Sequence, residues 1–290
     1  MVRGVRDSND VPDMARGVDS GTWVIMGGGA AKGLAHVGAW KAIQEAGVPV
    51  AGIIGTSTGA MMGAAFAGGR TVEEMEERTH RLRRRDIMRV NRRSVWVNGI
   101  RSRSVFRGDT LRRFIRDLLP TEDWHELTIP LVVNAVDLAS GETAWFGHRS
   151  DQDVPLVDSV HASAALPVLF PPVEAGGRIL IDGGALDMLP LGKAAEMGAT
   201  RIIAIDVGAA SHADARAVVD GGLIAVHQRV FSLMAGQRKR DSVRNWTGVP
   251  LTYVCPDFDD TDGFDFKKRY FFIEEGYRAT REALARLGGV

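Results

Sequence analysis

The sequence predicts an α/β fold of three layers, α/β/α, with a mostly parallel central sheet. Short apolar runs rich in valine and isoleucine alternate with segments of helical periodicity along most of the chain. Several runs, such as 51–55 and 201–206, are apolar on both faces, which is typical of strands buried between two layers of helices. Alternation of this kind favours a parallel sheet covered on both sides.

The pattern assigns a strand or a helix to most of the chain. The expected strands are 22–26, 51–55, 129–137, 142–146, 178–182, 201–206 and 251–255. The expected helices are 33–46, 58–68, 71–85, 107–118, 154–164, 190–197, roughly 214–240 and 268–287. No internal repeat or linker divides the pattern, so we expect one domain over residues 21–290 behind a flexible tail at 1–20.

Composition narrows the classes of function and the compartment. The 36 Lys and Arg residues balance 36 Asp and Glu residues, so net charge gives no general argument for a nucleic-acid or membrane partner. The single Cys255 cannot form an internal disulfide, and the N-terminus lacks the apolar core of a secretory signal, which favours a cytoplasmic protein. The uncharged run from Glu45 to Arg70 is long enough to span a bilayer, but Pro49 and repeated glycines favour a strand, a turn and a helix.

Ser57 stands in the pattern Gly55-Thr56-Ser57-Thr58-Gly59, directly after one expected strand and before an expected helix. This is the context of a nucleophile elbow, in which the glycines permit a sharp turn and the helix N-terminus favours negative charge beside the serine. The alternative is a serine that caps the helix between glycines needed for packing. The pattern alone leaves both interpretations open.

A glycine-rich stretch, MGGGAAKGLAHVG at 26–38, follows the first expected strand. A phosphate-binding P-loop would need Gly-Lys followed by Ser or Thr, where this chain has Lys32-Gly33-Leu34. A dinucleotide site would need glycine in place of Lys32 and an acidic residue about twenty positions later. Neither condition is met. An oxyanion hole needs only backbone N–H donors near a nucleophile, so it is the interpretation that the residues favour.

An activated serine needs a base, and no histidine is a compelling candidate. His212 and His227 come late in the chain, where a hydrolase histidine would stand, but His227 falls within an apolar helical run. Asp182 instead follows an apolar strand and precedes Gly183 and Gly184, so its carboxylate is expected to point off the end of the sheet. The Asp-Gly pair is also common in turns, which is the alternative interpretation.

Together and in this order, the three stretches resemble the patatin-like phospholipase family, with the glycine-rich loop around Gly27 to Gly33, the elbow at Ser57 and the Asp182-Gly183-Gly184 turn. The connecting segments, such as LVDSVHASAALPVLFPPV, resemble the family as well, and the resemblance covers roughly residues 22–287. It is closest to bacterial single-domain members related to neuropathy target esterase.

The resemblance implies a Ser-Asp dyad without histidine. Ser57 would be the nucleophile, Asp182 its base, and the N–H groups around Gly28, Gly29 and Ala30 the oxyanion hole. The reaction would pass through an acyl-enzyme, with neither a metal nor a cofactor implied. Ala30 stands where many members have glycine, and Lys32 where arginine is commoner, but neither departure removes a backbone N–H from the oxyanion hole.

The turn after Asp182 also departs from the family, which often has Asn-Asn before Leu-Pro. Here Asp187-Met188 stands before Leu189-Pro190. A carboxylate at position 187 raises the possibility that it repels Asp182 and raises the pKa of that carboxyl.

The segment 78–116 holds fourteen arginines against Asp86 and Asp109, with Trp96 among them. One hypothesis is an interfacial lid that meets anionic lipid headgroups and inserts the tryptophan at the membrane surface. An equally weighted alternative is a solvated helix surface balanced by Glu73, Glu74, Glu76 and Glu77 and by acidic residues elsewhere in the chain. Phosphate contacts with nucleic acid are the least favoured interpretation.

These features predict a serine acyl hydrolase of phospholipase or lysophospholipase type, cytoplasmic and in contact with a membrane surface if segment 78–116 is a lid. A neutral-lipid or small-ester esterase is the nearest alternative, and a non-catalytic lipid-binding protein on the same fold is another. The apolar stretch 223–234 could pack on the sheet or form a contact between copies, so homo-oligomerisation stays open.

Overall fold

The computed structural model describes residues 20–91, 102–208, 213–259 and 261–286. The strands are β1 Gly21–Met26, β2 Val50–Gly55, β3 Leu131–Asp137, β4 Thr143–Gly147, β5 Val173–Ala175, β6 Arg178–Asp182, β7 Ala199–Ile205 and β8 Leu251–Val254. The helices are α1 Ala35–Glu45, α2 Thr58–Ala67, α3 Val72–Arg81, α4 Arg84–Ile87, α5 Gly108–Leu118, α6 Leu156–Ser163, α7 Leu191–Glu196, α8 Ala215–Asp220, α9 Gly222–Arg244 and α10 Arg269–Ala285.

The strands form one mixed sheet in the order β5-β6-β3-β2-β1-β7-β8, with β4 also paired to β3. The five strands from β3 to β8 in this order pair in parallel, while β4, β5 and β6 pair antiparallel. The predicted α/β fold with a mostly parallel sheet is therefore confirmed.

Side chains from alternate positions of β1 enter two separate cores. Val24 and Met26 pack with residues of α1, α2, α5, α6 and α10 on one face of the sheet. Trp23 and Ile25 pack with residues of α7 on the other face. Because successive side chains of a strand point to opposite faces, this division establishes the three predicted layers.

The register around β3 explains how distant parts of the chain meet. Val132 and Val133 pair with β4 on one side and with β2 on the other. Ala135 and Val136 likewise pair with β4 and with β6. A strand has two edges, so β2 and β6 must share the edge opposite β4, and they run toward each other along it. Their carboxyl ends, at Gly55 and Asp182, therefore converge on the middle of β3.

Three local features differ from the sequence prediction. The predicted helix 71–85 ends at Arg81, because Leu82 adopts extended backbone before the short helix α4. The predicted helix at 214–240 is divided into α8 and α9 by Gly222, whose φ of 75° is incompatible with a continuous right-handed helix. The three-residue strand β5 was not predicted, since so short a run carries no periodicity.

Among the described residues, no helix has the length and apolarity needed to cross a bilayer.

Candidate active site

Ser57 lies on a tight turn between β2 and α2, with φ 56° and ψ −123°. Such backbone is strained for any residue with a side chain, and it persists only where the surroundings enforce it. The flanking glycines do so by close approach. A Cβ on Gly59 would lie 1.9 Å from the Met26 carbonyl oxygen, and one on Gly55 would lie 2.4 Å from the Cα of Ala60. The elbow thus requires glycine at both positions.

The Ser57 hydroxyl donates a hydrogen bond of 2.6 Å to Oδ2 of Asp182. The converging ends of β2 and β6 bring the two side chains together across 125 residues of sequence. The other carboxylate oxygen, Oδ1, accepts the N–H of Gly184 at 2.8 Å. A Cβ on Gly183 would lie 2.3 Å from Oδ1 of Asn134, so this turn also needs glycine. Within the described residues, no histidine hydrogen-bonds to Ser57 or Asp182.

Burial raises the pKa of Asp182 to about 7, against the lowering effect of the hydrogen bonds from Ser57 and Gly184. The sequence raised the possibility that Asp187 is the cause, and this is wrong. The carboxylate of Asp187 accepts the N–H of Leu189, and burial raises its own pKa to about 6. Asp182 is 1% exposed, so desolvation is sufficient to disfavour its charge.

The glycine-rich loop leads from β1 into a 3-10 turn at Ala30–Leu34, beside Ser57. In the described part of the chain, the N–H groups of Gly28 and Ala30 have no hydrogen-bond acceptor. The N–H of Gly29, which the sequence predicted as an oxyanion donor, donates instead to Oγ1 of Thr58 at 3.1 Å. This bond ties the loop to the elbow and removes Gly29 from the donors available to an oxyanion.

Several contacts fix the position of this loop. The ring of His36 is fully buried and hydrogen-bonds through Nε2 to the Gly27 carbonyl at 2.7 Å, while burial lowers its pKa to about 4. A Cβ on Gly33 would lie 2.5 Å from Oγ1 of Thr58, so the loop packs directly on the start of α2. Ala30 has a φ of 51°, the left-handed region in which glycine is favoured. The neutral His36 is therefore a structural support of the loop.

Sequence reasoning missed three residues beside the dyad. The hydroxyl of Ser163, at the end of α6, accepts a hydrogen bond of 2.9 Å from the Ser57 N–H and so stabilises the backbone of the elbow. Asn134 of β3 donates to the Asp187 carbonyl at 2.9 Å and fixes the turn after Asp182. The sulfur of Met188 lies 2.8 Å from the Cβ that an alanine at Gly28 would carry, and the residue lines the site. None of the three belongs to a short motif that could have identified it.

Two clefts open from Ser57. One is apolar and runs beneath α2, α4 and α5. Its side-chain lining includes Met61, Met62, Leu82, Ile87, Met88, Leu111, Phe114, Leu166, Phe170, Phe264 and Phe266. The other contains the dyad and the loop and is more polar, with Lys32, Gln228, Ser232 and Lys239 in its wall. Ser57 therefore lies where the apolar cleft and the polar cleft meet.

The side chain of Lys239 extends across the polar cleft to the buried carboxylate of Asp206, which directly follows β7. Its ammonium lies 2.6 Å from Oδ1 of Asp206 and 2.9 Å from the carbonyl of Gly208, and the Tyr253 hydroxyl donates to the other oxygen of Asp206 at 2.5 Å. The ion pair anchors α9 to the ends of β7 and β8. Lys32, which is buried and lies 5.6 Å from the centre of the Phe258 ring, also lines this cleft.

The arginine-rich segment 78–116 is only partly described, and Trp96 lies in the undescribed stretch 92–101. Six of the described arginines pair with carboxylates: Arg81, Arg103, Arg107, Arg112, Arg113 and Arg116. Arg83, Arg84, Arg85 and Arg89 are exposed around α4, whose inner residues line the apolar cleft. No cluster of metal-binding side chains occurs among the residues that the structure describes.

Known proteins of one family match this chain. The family model described as patatin-like phospholipase matches residues 24–195. An uncharacterized NTE family protein of Mycobacterium tuberculosis is 34% identical over 193 residues, which are 67% of this chain and 51% of that protein. Neuropathy target esterase of Drosophila melanogaster is 30% identical over 198 residues, which are 66% of this chain and 13% of that one.

This chain therefore matches about half of the mycobacterial relative and a small part of the fly protein. Among solved structures, VipD from Legionella pneumophila aligns with a TM-score of 0.52 and 15% identity, covering 92% of this chain and 67% of VipD. At that identity the likeness concerns the fold alone. The match to the family model, together with relatives at 30–34% identity, identifies the chain as a member of the patatin-like phospholipase family, related to neuropathy target esterase.

Proposed function

We propose that the protein is a serine acyl hydrolase of lipid esters, of phospholipase or lysophospholipase type, with Ser57 as nucleophile and Asp182 as base. The observation that carries the proposal is the hydrogen bond of 2.6 Å between these side chains, located where the apolar and polar clefts meet. Membership of the patatin-like phospholipase family supports a lipid ester as the substrate.

Acylation begins when the Ser57 oxygen attacks the ester carbonyl carbon and the proton of the Ser57 hydroxyl passes to Asp182. The negative oxygen of the tetrahedral intermediate accepts hydrogen bonds from the N–H groups of Gly28 and Ala30, beside the positive N-terminal end of α2. Collapse of the intermediate breaks the ester bond, and the proton on Asp182 leaves with the alcohol or lysolipid. The acyl group is then bonded to Ser57.

Deacylation repeats these steps with water as the nucleophile. Asp182 accepts a proton from the water as its oxygen attacks the acyl carbonyl, and the same two N–H groups stabilise the charge. The intermediate collapses, Ser57 recovers its proton from Asp182, and the fatty acid departs. No step requires a metal ion or a cofactor.

The two clefts favour a phospholipid-type ester over a neutral lipid or a small ester. The apolar cleft would hold the acyl chain, and the polar cleft would hold the headgroup side of the ester near Lys32 and Ser232. The strained backbone of Ser57 argues against a binding protein without catalysis, since that conformation destabilises the fold and only a nucleophile gains from it.

We further propose that segment 78–116 contacts the membrane surface of a cytoplasmic enzyme. Around α4 its inner residues, Leu82 and Ile87, line the apolar cleft, while Arg84 and Arg85 are exposed. Replacement of both arginines by glutamine should weaken binding to anionic vesicles and leave binding to neutral vesicles unchanged. Equal binding of both proteins to anionic vesicles would contradict this role.

The test of the main proposal is release of fatty acid from phospholipid, lysophospholipid, triacylglycerol and p-nitrophenyl esters, with a chelator present. We expect preference for phospholipid or lysophospholipid, and a loss of at least about a thousandfold in both Ser57→Ala and Asp182→Asn. Activity that survives Ser57→Ala would overturn the assignment of the nucleophile. Preference for triacylglycerol would replace the phospholipase by a neutral-lipid esterase, and a folded protein without activity on any ester would favour the binding protein.

A further inference from the structure

Helix α9 carries an apolar stripe on its solvent side. Leu223, Val226, Val230, Leu233 and Met234 are exposed, from 38% for Val226 to 77% for Leu223. Their spacing of three and four residues places them on one face of the helix. The sequence left open whether this stretch packs on the sheet, and in the described structure this face does not.

The opposite face of α9 forms a wall of the catalytic cleft. Gln228, Phe231, Ala235 and Lys239 line the cleft that contains Ser57. Gln228 donates to the Pro167 carbonyl at 2.9 Å, and Lys239 reaches Asp206 at 2.6 Å, so the helix is held across the cleft at two points. Whatever binds the outer stripe is thereby brought to the edge of the active site.

Charge along the same face changes toward the end of the helix. The line of the stripe continues through Gln237, Arg240, Asp241 and Arg244. Asp241 is the only acidic residue of α9; it is partly buried and accepts the side-chain amide of Gln237 at 3.0 Å, so the exposed Arg240 and Arg244 leave this end of the face net positive. The outward face is thus apolar over its first half and basic over its second. An amphipathic helix at a lipid surface has both of these features, because acyl chains accept the apolar side chains and anionic headgroups attract the arginines.

A second copy of the chain matches this face less well. Two α9 helices packed in parallel would place their arginines against one another, and two packed antiparallel along their whole length would place arginines against the apolar half. We infer that the outer face of α9 docks on anionic lipid, with residues 223–234 inserted among the acyl chains and Arg240 and Arg244 at the headgroups. The inference rests on the proposed function, since it explains how an ester lipid reaches Ser57 from an aggregate.

The experiment uses the full chain carrying Ser57→Ala, so that turnover cannot alter the vesicles. Binding to vesicles of equal parts phosphatidylcholine and phosphatidylglycerol is measured by co-sedimentation. The test variant adds Val230→Gln and Leu233→Gln, and the matched control adds Leu138→Gln and Ile179→Gln, which replace residues of 51% and 49% exposure elsewhere on the surface. We expect the test variant to lose at least about tenfold in partition coefficient and the control to bind as the parent does.

Unchanged binding of the Val230→Gln/Leu233→Gln protein, with its melting temperature preserved, would overturn the inference. A dimeric parent that becomes monomeric in this variant without losing vesicle binding would assign the stripe to a subunit interface and overturn it as well. With Ser57 intact, the ratio of vesicular phospholipid hydrolysis to monomeric ester hydrolysis should fall in the test variant. Absence of any ester hydrolysis would instead contradict the proposed function, which the binding measurement does not depend on.

Discussion

The floor of the active site, formed by residues 27–33, 55–59 and 182–184, differs in construction from its rim, formed by residues 82–89 and helix α9. On the floor, a single added methyl group at Gly55, Gly59 or Gly183 would approach other atoms within 2.4 Å. On the rim, large apolar side chains and arginines face solvent. The floor is close-packed backbone, whereas the rim is a surface of side chains.

This difference separates two kinds of requirement. Attack on an ester needs the nucleophile, its base and the N–H donors held within a fraction of an ångström, and close-packed backbone provides that accuracy. Contact with lipid needs apolar area and positive charge without fixed geometry. Substitutions on the floor should therefore affect folding and every substrate, while substitutions on the rim should discriminate among substrates.

The largest effect is expected from Gly59→Ala. Its Cβ would lie 1.9 Å from the Met26 carbonyl, so β1 and α2 must separate. We expect the free energy of unfolding to fall by about 3 kcal/mol or more and hydrolysis of all esters to be lost. Gly192→Ala is the matched control, because that helical glycine has open space around its Cβ position and alanine should stabilise the protein by up to about 1 kcal/mol. Equal melting temperatures for the two variants would contradict the close-packed floor.

The second-largest effect is expected in the pH dependence of hydrolysis, which Asp182 should control. Because its pKa is about 7, the base is protonated in acid, and kcat/KM for a short soluble ester should rise about tenfold per pH unit up to pH 7 and then level off. A pH profile that is flat between pH 5 and 8 would contradict the assignment of this base.

The same shift has a consequence for stability. A protonated Asp182 stabilises the fold below its unfolded pKa near 4, and this contribution is lost as pH rises through about 7. The uncharged Asp182→Asn protein should therefore unfold at the same denaturant concentration as the wild type near pH 4. Above pH 7 it should be more stable by roughly 2–4 kcal/mol. A variant less stable than the wild type at pH 8 would contradict burial as the cause of the shift.

On the rim, Ile87→Glu should affect long chains selectively. The substitution puts a charge into the wall of the apolar cleft, which an acyl chain would have to cover. We expect kcat/KM for a long-chain ester to fall at least about tenfold, with butyrate esters much less affected, and Ile87→Met to behave as the wild type. Equal losses for short and long chains would place the acyl chain elsewhere.

The smallest effect is expected at Ala30, a floor residue that carries strain. Its φ of 51° is unfavourable for a side chain with a Cβ, and glycine adopts this backbone freely. Ala30→Gly should raise the free energy of unfolding by about 0.5–1 kcal/mol and keep the N–H donor. Calorimetry measures this directly, and a lower melting temperature would show that the loop has relaxed into another conformation.

The sequence predicted those site residues whose neighbours along the chain form a motif. Ser57 stands out because it follows a strand and lies between Gly55 and Gly59, and Asp182 because it follows a strand and precedes Gly183 and Gly184. The sheet was predictable because several of its strands are apolar on both faces. Ser163 was not predictable, since it reaches Ser57 across 106 residues through the packing of α6. The exposed stripe of α9 was equally hidden, because periodicity identifies an apolar face without showing what covers it.

Charge was the feature that the sequence represented least well. The arginines of segment 78–116 look unbalanced along the chain, yet the bidentate partner of Arg112 is Asp158, 46 residues away. Gly29 is a similar case, because its N–H appears available in the motif and is occupied by Thr58 only in three dimensions. In both cases the partner is supplied by the fold from a distant part of the sequence, so the sequence alone does not identify it.

Transfer of the acyl group through Ser57 is tested most directly by trapping the acyl-enzyme intermediate. The protein is mixed with a palmitoyl lysophospholipid, quenched in acid during the first turnovers, digested and analysed by mass spectrometry. We expect a palmitoyl adduct on the peptide that contains Ser57, absent from Ser57→Ala and from Asp182→Asn. Fatty acid released without an adduct on Ser57, or an adduct that persists on another residue of the Ser57→Ala protein, would contradict it.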